Sequence, residues 1–170
     1  MLNKFSEVIP SELDGNFIKM IGHEWFLITA GNIEAYNTMT AAWGGIGFLW
    51  QKPVVYTFVR PVRHTFHFTE ENDYFTLSFF GEKYRDILQY CGTKSGKDVD
   101  KAHETGLIPF SVDKRSVAFE QAKLIILCRK LYSDFIKPEN FTDISLDKHY
   151  PLKDYHKMYI GEIVKCYVEK

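Results

Sequence analysis

What the sequence lacks argues against several classes of protein. The chain has 170 residues but only three cysteines, Cys91, Cys128 and Cys166, which lie far apart and form no Cys-x-x-Cys pair. We therefore expect reduced thiols and no disulfide scaffold. Lysine and arginine number 21 against 22 aspartate and glutamate residues. Because this balance gives no overall electric field, we expect neither a nucleic acid nor a membrane as a partner.

Long apolar runs and several familiar motifs are also missing. The first thirty residues carry charges throughout, and no stretch approaches the roughly 18 apolar residues of a membrane-spanning helix. We therefore expect a soluble protein of the cytoplasm. The glycines at 44–47 make no dinucleotide fingerprint, and the sequence has no Gly-Lys-Ser/Thr phosphate loop and no nucleophile elbow.

Aromatic residues, by contrast, are plentiful. They make up 16% of the chain, with 14 Phe and 10 Tyr, as is typical of a β-rich domain. About seven strands and two or three short helices are predicted, which favours an antiparallel barrel or sandwich formed as one domain by residues 1–170. The predicted strands span 25–30, 33–43, 53–60, 73–80, 107–112, 117–131 and 158–168, and the predicted helices span 63–71, 82–90 and part of 94–104.

Glycines supply further local predictions. Gly31 and the next residue separate two strands, which predicts a hairpin. Gly92 stands where a left-handed residue would end a helix. Gly161 lies inside the last strand and marks a bend or a close backbone approach. The stretch from Gly44 to Gly47 interrupts the strand pattern, whereas the dense apolar run 124–128 predicts a strand segment that is buried on both faces.

One stretch between two apolar segments has the composition of a ligand site. It reads Asn37-Thr38-Met39-Thr40-Ala41-Ala42-Trp43-Gly44-Gly45. Short polar side chains interrupt a predicted strand, and a large aromatic residue and two glycines follow at once. Glycine permits a close backbone approach, while threonine and asparagine supply hydrogen bonds. The stretch therefore suits a flat ligand with polar edges.

Two other stretches are candidate anion sites. Residues 60–65, Arg-Pro-Val-Arg-His-Thr, place two guanidinium groups at the start of a predicted helix, where backbone donors are free. Residues 91–97, Cys-Gly-Thr-Lys-Ser-Gly-Lys, followed by Lys101, have the composition of a phosphate-contacting loop. Solvated arginines and a solvated linker are the alternatives. His64 and His67 have the spacing of metal ligands, but no third ligand is near, and we interpret them as surface histidines.

Taken together, these stretches resemble one known family. In their order and spacing, and with 73–80 and 155–162, they are similar to the flavin reductase-like family, in particular its flavoredoxin branch. The resemblance covers nearly the whole chain. It implies an antiparallel Greek-key split β-barrel that binds FMN and works as a homodimer, with FMN near the subunit boundary. It also implies an oxidoreductase in which NAD(P)H, the probable co-substrate, gives a hydride to the flavin, and electrons pass to a small molecule or a protein partner.

The resemblance further implies roles for single residues. Trp43 would pack close to the flavin, and His156 would lie near the flavin edge or the nicotinamide as the candidate catalytic residue. The sequence departs from the family pattern before His156, where a glycine is absent, and at Ala42, where a serine is common. Asn37, Thr38, Met39 and Thr40 would line the flavin ring, and Arg60, Arg63, Thr65, Ser95, Lys97 and Lys101 would hold the phosphate and ribityl chain.

Three functions stay open from the sequence. The first is a reductase that takes NAD(P)H directly. The second is an electron carrier that another protein reduces, since no nicotinamide-specific pocket is visible in the sequence. The third is a binding module that holds a flavin, or another planar ligand, without turnover.

Overall fold

Strands dominate the structure, as the aromatic-rich sequence predicts. The computed structural model describes residues 2–170, which form ten strands and four α-helices. The strands are β1 Phe5–Val8, β2 Phe26–Asn32, β3 Ala35–Ala41, β4 Gly44–Leu49, β5 Lys52–Val59, β6 Tyr74–Phe79, β7 Pro109–Val112, β8 Ser116–Phe119, β9 Leu124–Phe135 and β10 Lys157–Glu169. The helices are α1 Phe17–Lys19, which continues into a π-helical turn at Met20–Glu24, α2 His64–Glu71, α3 Arg85–Thr93 and α4 Lys101–Thr105.

Eight of the strands found in residues 2–170 form one sheet, in the order β3-β2-β6-β9-β10-β5-β4, with β1 paired to β10. All its strand pairs are antiparallel. Strands β3 and β4 lie at opposite ends of this order, yet only Ala42 and Trp43 join them along the chain. A link of this length spans about 11 Å at most. The sheet is therefore strongly curved, and its two edge strands lie close together where this link joins them. This curled antiparallel sheet is a split β-barrel, and no ladder joins β3 to β4 within the described residues.

Alternating side chains of the barrel strands enter two separate cores. Phe26 and Ile28 of β2 join the cluster inside the barrel. Leu27, between them, joins a second cluster under α3 and the separate β7–β8 hairpin. The run Leu124–Cys128 contributes to both clusters, and each of its residues is at most 5% exposed. The predicted burial of this segment on both faces is therefore confirmed.

Several local predictions are confirmed. The β2–β3 hairpin forms, and the Asn32 side chain accepts hydrogen bonds from the backbone N–H groups of Glu34 and Ala35. The helix predicted over 63–71 is α2. Gly161 lies at a register shift between β9 and β10, and a Cβ atom there would come within 2.7 Å of the Phe75 ring. The prediction of an irregular strand position or a close approach at Gly161 is therefore confirmed by the register shift and by this tight packing.

Other local predictions were wrong. The predicted strand 117–131 is two strands, β8 and β9, separated by a turn in which Lys123 N–H donates to the Phe79 carbonyl. Gly92 lies within α3 and does not end it. The glycines at 44–47 belong to the strand β4, which their low strand propensity concealed. Gly44 is required there because its φ is +156° and a Cβ would lie 2.5 Å from the Tyr56 carbonyl oxygen.

Two further features bear on the predictions from composition. The three cysteines, all within the described part of the chain, are free and buried. Across residues 2–170, the helices are too short or too polar for any of them to traverse a lipid bilayer.

The close packing at Gly161 predicts the effect of a substitution. Gly161→Ala places a methyl group 2.7 Å from Phe75 and 3.0 Å from Cys128 Cβ, so we expect a loss of about 1–3 kcal/mol in the free energy of unfolding from overpacking. Gly81→Ala is the matched control, because nothing lies within 4 Å of a Cβ at that position. Urea unfolding of both variants measures the difference, and equal stabilities would contradict the assignment of Gly161.

Candidate functional site

The seam between the two ends of the sheet contains a cleft of about 330 Å³, which we call the β3 cleft. A second, smaller pocket of about 70 Å³, the α2 pocket, lies beside it at the start of α2. Met39 and Arg63 line both of them. The β3 cleft is lined by Met39, Thr40, Ala41, Ala42, Trp43, Phe58, Arg60, Arg63 and His156. The α2 pocket is lined by Met39, Val62, Arg63, His64, Thr65, Thr93, Lys94, Ser95, Gly96 and Lys101.

The polar side chains of β3 fasten neighbouring elements to the strand. Asn37 accepts a hydrogen bond of 2.7 Å from the Thr65 hydroxyl, which fixes the start of α2 against β3. Thr38 donates to the Ile28 carbonyl and lies 2.9 Å from the Thr29 hydroxyl. The Thr40 hydroxyl donates to the Leu88 carbonyl of α3. Because the hydroxyl groups of Thr38 and Thr40 already donate to carbonyls, β3 contributes mainly backbone groups and the Met39 side chain to the β3 cleft.

The α2 pocket has the physical character of an anion site. The first backbone N–H groups of an α-helix have no partner within the helix, and the helix dipole makes this end positive. No side chain caps the start of α2, whose N-cap residue is Arg63. The Arg63 guanidinium donates to the Gly92 carbonyl at 2.8 Å, which anchors it while other N–H groups stay free. A phosphate-sized anion would meet both sets of donors.

Lys101 adds a buried positive charge to this pocket. The residue is only 6% exposed, and its ammonium group donates to the carbonyls of Thr38 at 2.7 Å and Cys91 at 2.9 Å. Burial lowers the pKa of Lys101 to about 8, with a smaller effect from Arg63. Within residues 2–170, the ion pairs include no carboxylate bound to Lys101. An ammonium group has three donors, so one remains for a ligand.

The structure does not bring all the candidate phosphate ligands together. Arg60 lines the β3 cleft but not the α2 pocket. Its guanidinium is bound to Asp154 at 3.0 Å and to the His149 carbonyl at 2.8 Å. Lys97 lines a third cavity of about 450 Å³, which Asn37 and Thr38 also line and which shares Gly96 and Lys101 with the α2 pocket. The candidates that meet at the α2 pocket are Arg63, Thr65, Ser95 and Lys101.

His156 lies on the wall of the β3 cleft. Its ring centroid is 4.8 Å from that of Trp43, and its Nδ1 atom is 3.0 Å from the Tyr150 hydroxyl. Burial, with the nearby Arg60 charge, lowers the pKa of His156 from 6.5 to about 4. The imidazole is therefore neutral at physiological pH. His64 and His67 lie elsewhere with ring centroids 6.1 Å apart, and the described residues place no third metal-ligating side chain with them.

Sequence reasoning missed two aromatic residues of this site. Phe58 lines the β3 cleft, and it shares a strand face with Arg60 because side chains alternate along β5. Tyr150 is only 3% exposed although it lies outside every predicted strand and helix. The concentration of aromatic residues from 141 to 155 was the available signal for a packed segment.

Fold and site together define a split β-barrel with an aromatic-walled cleft beside a pocket that cationic side chains line. The family model described as "Flavin reductase like domain" matches residues 19–170. The chain belongs to the flavin reductase-like family. No curated protein matched the chain.

Solved structures share this fold. Flavoredoxin of Desulfovibrio vulgaris has a TM-score of 0.67 and 24% identity over 86% of this chain and 69% of that one. An FMN-binding domain of a flavin reductase-like enzyme from Shewanella baltica has a TM-score of 0.71 and 16% identity over 97% and 77%. An FMN-binding protein from Thermus thermophilus with bound p-hydroxybenzaldehyde has a TM-score of 0.68 and 20% identity over 97% and 82%. The fold is thus that of FMN-binding proteins.

The lowered pKa of His156 predicts a pH dependence of stability. The folded protein binds this proton only near pH 4, whereas the unfolded chain binds it below about pH 6.5. Stability is therefore fully present above pH 6.5 and is lost as the pH falls towards 4, by about 2 kcal/mol for this residue. Urea unfolding at pH 7.5 and 4.5 measures the loss in the free energy of unfolding. We expect this loss to be smaller in His156→Gln by the contribution of His156. The exposed His103 provides the control, and His103→Gln should keep the wild-type difference between the two pH values.

Proposed function

We propose that the chain binds FMN and acts as a flavin-dependent oxidoreductase. The observation that supports this function best is the adjacency of the β3 cleft and the α2 pocket, which share Met39 and Arg63. One is suited to a planar ring system and the other to a phosphate. Sites for small ligands combine an apolar cavity with a few fixed polar groups in this way.

The candidate residues then take separate roles. The flavin ring would lie along the segment from Met39 to Trp43, where backbone groups meet its polar edge. The phosphate would lie at the start of α2, with Arg63, Thr65, Ser95 and Lys101 as its ligands. A phosphate would give the buried Lys101 ammonium the anion that it lacks. Asn37, Thr38 and Thr40 would act indirectly, because their side chains hold α2, β2 and α3, respectively, against β3. Arg60 would lie near the flavin ring, and Lys97 would lie outside the α2 pocket.

The protein would contribute orientation and electrostatics. A bound flavin supplies the hydride and electron chemistry. Trp43 and Phe58 enclose the cleft, and His156 places a neutral imidazole at its wall. Because this chemistry needs no acid or base from the protein, the lack of a catalytic dyad in the sequence agrees with it.

NAD(P)H is the proposed hydride donor, and a small molecule or a protein is the proposed acceptor. The Thermus relative was solved with p-hydroxybenzaldehyde, which supports access of a second planar ligand to such a cleft. We further propose a homodimer in the cytoplasm. The dimer is supported by Phe48 and Trp50 on the β4–β5 hairpin, which are 72% and 55% exposed.

An electron carrier, or a flavin-binding module without turnover, is the alternative function.

The choice between these functions can be tested with purified protein, FMN and either NADH or NADPH, without oxygen. A reductase bleaches the flavin absorbance within seconds. An electron carrier keeps its yellow colour with both nucleotides and bleaches with a chemical reductant such as dithionite. A protein that stays colourless after addition of FMN would contradict the proposed function.

The α2 pocket predicts which charges matter for FMN. Removal of one charge-assisted contact costs about 1.5–3 kcal/mol, so Arg63→Ala should weaken FMN binding roughly tenfold to a hundredfold. The affinity for riboflavin, which lacks the phosphate, should change little in Arg63→Ala. Lys97→Ala is the control, because this residue is exposed and lines a different cavity, and an exposed charge changes affinity by less than about fivefold. Isothermal titration calorimetry measures the affinities of the wild type and of both variants for FMN and riboflavin. Equal losses of FMN affinity in both variants would show that the pocket is misassigned.

A further inference from the structure

We propose that Tyr150 fixes His156 as a neutral hydrogen-bond donor, whose Nε2–H binds a carbonyl oxygen of the second ligand in the β3 cleft. The ligand part of this inference rests on the proposed function. The part that concerns the tautomer depends only on residues of the chain.

The tautomer follows from the hydrogen bonds of Tyr150. Its hydroxyl is 3.0 Å from His156 Nδ1, and the described residues offer it no other hydrogen-bond acceptor. The residue is only 3% exposed. If Nδ1 carried the proton and donated it, the hydroxyl hydrogen would stay buried without an acceptor, at a cost of about 1–3 kcal/mol. The hydroxyl therefore donates to Nδ1, and the imidazole hydrogen lies on Nε2.

The Nε2 atom lies on the side of the ring away from Tyr150. His156 lines the β3 cleft, whereas Tyr150 does not. Within residues 2–170, Nε2 has no hydrogen-bond partner, and it is not one of the fully buried polar atoms that lack one. The cleft therefore holds a fixed N–H group that the protein does not use.

The charges around the ring keep it neutral. Burial lowers the pKa of His156 most, and the guanidinium groups of Arg60 and Arg63 lower it further. Asp154 acts in the opposite direction, but its carboxylate is bound to Arg60 at 3.0 Å. The other surrounding groups are the uncharged rings of Trp43, Phe58, Tyr150 and the neighbouring Tyr155. The imidazole thus donates a hydrogen bond but does not transfer a proton near pH 7.

A neutral N–H donor between aromatic side chains selects for an uncharged acceptor on a planar ligand. A carbonyl oxygen has this chemistry, and it occurs in the carboxamide of nicotinamide as well as in aromatic aldehydes and enones. The aromatic walls would contact the ring of the ligand, and Nε2–H would set its orientation. Tyr150 is a positioning residue in this arrangement, because it acts through His156.

The tautomer can be tested without any ligand. Long-range proton–nitrogen NMR spectra of ¹⁵N-histidine-labelled protein distinguish the two tautomers and the charged ring. We expect the Nε2–H form for His156 in the wild type from pH 5 to 8, and a mixture of forms in Tyr150→Phe. Tyr155→Phe is the matched control, since this hydroxyl donates to Asp147, and it should keep the wild-type signal. An Nδ1–H or charged imidazole in the wild type at pH 7 would overturn the proposal without use of any variant.

The ligand class can be tested by flavin absorbance changes in the FMN-loaded protein. p-Hydroxybenzaldehyde has an aldehyde group where p-cresol has a methyl group, so at a mildly acidic pH, at which both phenols are uncharged, one hydrogen bond should favour the aldehyde by about fivefold. We expect His156→Gln, which keeps an N–H donor, to retain this preference, and His156→Leu and Tyr150→Phe to lose it. An equal preference in wild type and His156→Leu would refute the carbonyl contact.

A parallel titration with nicotinamide separates the two sources of the carbonyl. Tight binding of nicotinamide indicates the carboxamide of the hydride donor, whereas tight binding of the aldehyde alone indicates an acceptor substrate. Failure of FMN to load would contradict the proposed function, while the NMR result would still decide the tautomer.

Discussion

The short link between β3 and β4 is the constraint on which the site depends. Two residues must connect strands at opposite ends of one sheet, so the sheet closes on itself and its two ends meet at a seam. The seam brings the end of β3 close to the end of β5 and the start of β10, and the β3 cleft lies there. Gly44 permits this closure, because its backbone lies against the Tyr56 carbonyl and leaves no room for a side chain.

The α2 pocket is held together by main-chain carbonyls as much as by side chains. Lys101 links β3 to α3 through the carbonyls of Thr38 and Cys91, and Arg63 links the start of α2 to the Gly92 carbonyl. Asn37 completes the arrangement through Thr65. Three segments that are distant in sequence are thus joined by cationic groups that also face the pocket. Lys101 and Arg63 therefore both hold the segments together and give the α2 pocket its positive charge.

The sequence carried much of this organisation, though unevenly. Alternation and apolar density predicted β2, β3, β5 and β6 because these strands are long and regular, and their order with the motif stretches identified the family. Strand β4 was missed because glycines at 44, 45 and 47 conceal a strand that only tertiary closure requires. The separation of Arg60 from the α2 pocket was not predictable, since it depends on how 138–155 folds back over the seam. The burial of Tyr150 was indicated only by the aromatic residues of 141–155.

The carbonyl-bound ammonium of Lys101 has a consequence for the life of the protein in the cell. An interior cation without a counter-ion weakens the empty chain, and an anion that neutralises it favours the folded state. Under the proposed function, binding of the FMN phosphate beside Lys101 would therefore also raise resistance to proteolysis, because it stabilises the folded state. Protein synthesised in excess of FMN would then be degraded sooner.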